Sequence, residues 1–136
     1  MNNGGEHAQF IHCLRLIGEN VLCGRYQQAD SMVDILLEGF DHHHDLFRSK
    51  VQPLLASLDA HGPMARAVER YHRSIRQSLL ELRAEVKAYQ PVNIAEVEHL
   101  LEEHAWLERE QLMPVLRQLW SLNLQGLDDL PLLDVM

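Results

Sequence analysis

Apolar residues recur at a 3.6-residue spacing through four long stretches of this chain, and nowhere do they alternate at the two-residue period of a strand. Each stretch has one face to bury and no sheet to bury it against, so the stretches must pack on one another. The first begins near Glu6 and carries His7, Phe10, Ile11, Leu14, Ile17 and Val21 to a stop at Gly24. The second starts between Gln27 and Ser31, bears Met32, Leu36, Phe40, His43, Phe47, Val51 and Leu54, and continues to about Leu58. After the break Asp59-Ala60-His61-Gly62-Pro63, with Pro63 suited to a first helical turn, the third shows Val68, His72, Ile75, Leu79, Leu82 and Val86. Tyr89 to Asn93 interrupts it, with Asn93 as N-cap and Glu96 completing a capping-box pattern. The fourth runs from about Ile94 to Trp120 along Leu101, His104, Glu108, Leu112, Val115 and Leu119. The expected fold is all-α, an antiparallel up-down-up-down four-helix bundle over 1–121. An apolar-acidic tail over 122–136 reads as a packed segment, a dimer contact or a frayed end.

A chain of 136 residues that is 46% hydrophobic fits one domain with a real core. Its formal charge of −8, with basic residues scattered, argues against a phosphate-binding surface, so no nucleic acid is expected as a partner. The N-terminal residues lack a basic segment followed by an apolar one, and no apolar run approaches a membrane span, so the expectation is a soluble, cytoplasmic protein. Cys13 and Cys23 have no Cys-x-x-Cys spacing and read as ordinary reduced residues. Nine histidines against three Phe, two Trp and three Tyr is the compositional oddity.

His104 and Glu108 are four apart and share the apolar stripe of the fourth helix. A carboxylate facing a core is costly unless a proton, a cation or a set of donors compensates it, which makes the pair a candidate for metal ligation. A surface Glu beside a satisfied core His is the competing reading. The stretch has an echo. His43 and His104 are each followed ten residues later by a proline, Pro53 and Pro114, and then by an apolar-Leu-x-x-Leu ending. Prolines at one offset in two helices predict matching bends around a shared site. Phe47 stands where the other half has Glu108.

Chain geometry indicates which other histidines lie at this level. His43 and His7 are each about eighteen residues from the turn at Gly24 and Arg25, so they should be neighbours. The same count places the level on the third helix near Gln77 to Leu79, about 8–9 Å from His72 at the usual helical rise. His72 is nonetheless the only histidine on that helix's buried stripe. His12, His42, His61 and His99 read as surface residues. Trp106 and Trp120 lie off the stripe or at its end and suggest either edge packing or a homodimer or protein-partner surface.

These residues resemble the hemerythrin-like, or HHE cation-binding, domains. The likeness covers about residues 6 to 120: His7; His43-His44 with Pro53; His72 preceded by Glu69-Arg70-Tyr71; and His104 with Glu108 and Pro114. The resemblance implies a four-helix bundle holding a dinuclear, oxo- or carboxylate-bridged iron site. Such a site binds oxygen, nitric oxide or peroxide, or stores, senses or delivers iron. The expected metal ligands are His7, His43 or His44, His72, His104 and Glu108. The chain departs from the family in lacking both acids of the second helix, with Phe47 and Arg48 in their places. One acid balances a pair of iron ions poorly, and a guanidinium nearby disfavours a second cation. The site is therefore diiron, mononuclear or empty. A metal-free interaction or regulatory bundle is the alternative function. An enzyme comes third, since there is no nucleophile triad, no phosphate loop and no second acid at a catalytic spacing.

Overall fold

The computed structural model describes residues 5–56 and 62–122. The turn bearing His61, the Trp120 side chain and the tail beyond residue 122 lie outside them. Helix α1 spans Gly5–Leu22, α2 Tyr26–Leu46, α3 Gln52–Ala56, α4 Gly62–Lys87, α5 Ile94–Leu107 and α6 Met113–Leu122. Two π-helical turns, Phe47–Val51 and Glu108–Leu112, join α2 to α3 and α5 to α6 without breaking the rod. Four helical rods thus pack into one bundle, as the periodicity predicted. Among the described residues there is no strand.

Gly24 ends α1 at φ +75°, a left-handed conformation that glycine adopts without a Cβ clash. Asn93 does occupy the N-cap of α5, but its side chain makes no capping hydrogen bond there. Paired residue numbers rise on one helix as they fall on its neighbour. Asp30, Asp34 and Asp41 of α2 meet Lys87, Arg83 and Arg76 of α4 in turn. Arg15 of α1 meets Glu98 of α5 at 2.7 Å, and His7 meets His104. This is the order that up-down-up-down connections require. The charged pairs lie at the surface and contribute little energy individually, yet they match only in one register.

The apolar core divides into two clusters. One gathers Leu14, Ile17, Val33, Phe40, Leu79 and Leu101 with their neighbours, and the other Phe47, Val51, Leu55, Val68, Leu112 and Leu116. Each fully buried Leu or Phe contributes about 1.5–3 kcal/mol by leaving water, an upper bound against a compact unfolded chain. On α4 every residue of the predicted stripe is buried. On the rods with π turns the stripe shifts by one residue: Leu55 is buried rather than Leu54, and Leu116 rather than Val115. A π turn closes i to i+5, as the Gln52 N–H to Phe47 carbonyl and the Met113 N–H to Glu108 carbonyl bonds show. It therefore absorbs one extra residue and advances the phase of everything after it. The prolines predicted to bend these helices, Pro53 and Pro114, each stand second after a π turn, where the wider turn accommodates a residue with no N–H.

Candidate metal centre

Between the two apolar clusters lies a layer of buried polar side chains contributed by all four rods. His7 of α1, His43 of α2, His72 of α4, and His104 and Glu108 from the α5 rod are each no more than 2% exposed. The geometry follows from their helices. His104 and Glu108 face the same way because α5 is regular up to Leu107, and the π turn opens only at Glu108. His7 and His43 are level across the α1–α2 turn, as the residue count indicated, with ring centroids 4.9 Å apart.

The predicted offset of His72 does not occur: its Nε2 lies 2.7 Å from His104 Nε2. That count assumed two helices ending at one height. Instead α4 turns at Tyr89, φ 57°, and residues 90–93 run on without helical structure before α5 begins. Asn93 is extended, and a non-helical residue does not follow the helical rise, so the count across this turn fails and the two rings come level.

Glu108 is the hub. Its Oε1 lies 2.6 Å from His104 Nε2, 3.2 Å from His72 Nε2 and 3.3 Å from His43 Nε2, and its Oε2 lies 3.0 Å from His7 Nε2. Burial works against an ionised Glu108, but the adjacent His104 and the hydrogen bonds of this ring of imidazoles hold its carboxyl well below the ordinary value. Burial likewise lowers His72, and pushes His104 down to about 3, so His104 is neutral near pH 7 with its Nε2 proton donated to Glu108, a proton that a cation at that position would replace.

Two features fit these residues to a cation. His7 Nε2 and Glu108 Oε2 are close, but neither is aligned for a hydrogen bond with any described group, so they converge on a shared space. His72 and His104 meet nitrogen to nitrogen, so at most one of those two atoms carries a proton between them. The ligand atoms of His7, His43, His104 and Glu108 lie within 4.8 Å of one another, and imidazole with carboxylate is a donor set for iron, zinc or manganese. The rings are oriented by packing. Phe10 and Phe40 meet His43, and Phe40 and Phe47 meet His72 edge-on.

Of the alternatives His43 and His44, it is His43 that joins Glu108, but His44 is buried too. Its Nε2 lies 2.8 Å from Oε2 of Glu69, a buried acid outside the expected ligand set. Arg48 Nη2 and Arg73 Nε approach the other oxygen of Glu69 at 3.2 and 3.5 Å. Burial works against ionising Glu69, and His44 and Arg48 outweigh it, holding the carboxyl below its ordinary value. The missed signal was the i, i+3 spacing of Glu69 and His72, which places both on one side of α4. His12, His42 and His99 are exposed, as expected, and so is half of Trp106. No described helix is long and apolar enough to cross a membrane.

Comparison of the chain with protein-family models, with curated proteins and with solved structures finds no match.

Proposed function

We propose that this protein is a hemerythrin-like metal-binding bundle that holds iron between His7, His43, His104 and Glu108, with His72 alongside. The metal would serve to bind or sense a small diatomic ligand, or be itself the cargo. The observation that carries this reading is the convergence of four imidazole Nε2 atoms on one buried carboxylate. A bound metal would supply charge to offset Glu108 and an open position for a small ligand. The chain's residues do the rest. Glu108 supplies the negative charge, neutral His104 supplies a lone pair, and Phe10, Phe40 and Phe47 fix the rings and keep water out.

The test is metal content and an optical spectrum of protein purified without an affinity tag, under aerobic and anaerobic conditions. Bound iron at a stoichiometric level is expected. Absence of iron, zinc and manganese from both preparations overturns the reading and leaves the metal-free interaction bundle in its place.

A further inference from the structure

Glu69 is a buried carboxylate with no task in the site just described. With His44 and His72 it forms a second group whose ligand atoms lie within 4.8 Å of one another, and all three residues are buried. Two imidazoles and a carboxylate can hold a divalent ion with positions to spare. The group adjoins the first through His72, whose Nε2 is 2.7 Å from His104 Nε2 and 3.2 Å from Glu108 Oε1.

The two groups differ in charge. Glu108 has only histidines around it, whereas Glu69 has a guanidinium at each of two approaches to Oε1. Arg48 is four residues after His44 on the same rod, so both reach Glu69 from one face, His44 at Oε2 and Arg48 at Oε1, and the guanidinium sets a fixed positive charge on the carboxylate that an ion would share. Glu69 also lines a cavity of about 560 Å³ between α3 and α4, whose wall carries Arg66, Arg70 and Arg73. Neither Arg66 nor Arg70 has an acidic partner among the described residues, so that side of the group presents net positive charge to an approaching cation.

We infer that His44, Glu69 and His72 form a latent second cation subsite, and that Arg48 keeps it closed, so that the protein takes one metal ion where its ligands would allow two. The inference rests on the metal-binding reading above. Arg48 is half-exposed, and its removal leaves the apolar clusters intact.

The test is equilibrium dialysis of the full chain against iron(II) under anaerobic conditions, followed by metal analysis, with circular dichroism to check each variant's helix content. Wild type is expected to hold one equivalent. Arg48→Ala and Arg48→Gln, the latter keeping the aliphatic stem, are expected to hold two, and Arg48→Lys one. Adding Glu69→Gln to Arg48→Ala should return the count to one, and Glu69→Gln alone should keep the single equivalent. Two equivalents in wild type, or one in both Arg48→Ala and Arg48→Gln, overturn the latch while leaving the metal-binding reading standing. Loss of the single equivalent in Glu69→Gln overturns it as well, by placing Glu69 in the first site. No metal in wild type removes both.

Discussion

Glu108 Oε1 lies 2.6 Å from His104 Nε2 one turn earlier on its own rod, and 3.2 Å from His72 Nε2 on α4. One carboxylate oxygen thus joins α4 to the α5 rod, beside the direct contact of His72 Nε2 with His104 Nε2 at 2.7 Å. Glu108→Gln keeps the shape and removes the charge. Metal content is expected to fall at least tenfold with helix content unchanged, and added metal should no longer raise the melting temperature. Retention of wild-type metal would show that the carboxylate is not a ligand.

Metal-free protein should lose stability as pH falls. The unfolded chain protonates a histidine near 6.5, whereas folded His104 resists protonation down to about 3, so between those values the unfolded state binds the extra proton. Glu108, lowered from 4.5, adds a loss of the same sign below that value. A melting temperature measured from pH 8 to pH 4 should be level above about 6.5 and decline below it. A rise on acidification would mean that the cluster carries a proton in the folded state.

Phe47 is fully buried and packs edge-on against His72 at 5.2 Å between ring centroids, while closing the top of the second apolar cluster. Phe47→Ala should cost about 3–5 kcal/mol in denaturant unfolding, from lost transfer energy and a cavity. A cost below about 1 kcal/mol would mean that the layer collapses readily, and that His72 is not held by this ring.

Pro114→Ala separates two causes of the second π turn. If the proline alone held the turn open, alanine would let an ordinary α-helix re-form and rotate the later residues out of phase. The burial of Leu112, Met113 and Leu116 argues that core packing holds it, so the variant should stay within about 1 kcal/mol of wild type and keep its metal. Loss of metal with a folded protein would assign the turn to the proline.

The bundle was legible because burial on α4 follows one unbroken period from Val68 to Val86. The site was legible in part. His7 and His43 followed from distance to a turn, and His104 with Glu108 from i, i+4 spacing. The level of His72 depended on residues 90–93, whose non-helical path no helical count includes. His43 and His44 stood as alternatives for one position because consecutive histidines fan around a helix, yet both are buried. Neighbours about 100° apart can face two interfaces at once, and His43 faces the central layer while His44 faces α4. Glu69 was passed over because its charge is met by Arg48, four residues past His44 and distant in sequence.

The π turns leave each of two rods written in two frames. Before Phe47 and Glu108 one set of positions faces inward, and after them the set one residue later does. Glu108 sits at the seam. Its direction is set from one side by the frame that buries Leu101 and His104, and from the other by the frame that buries Leu112 and Leu116. The hub of the histidine layer is therefore also the residue at which the inward frame of the α5 rod changes, so its carboxylate is aimed by the packing of both apolar clusters.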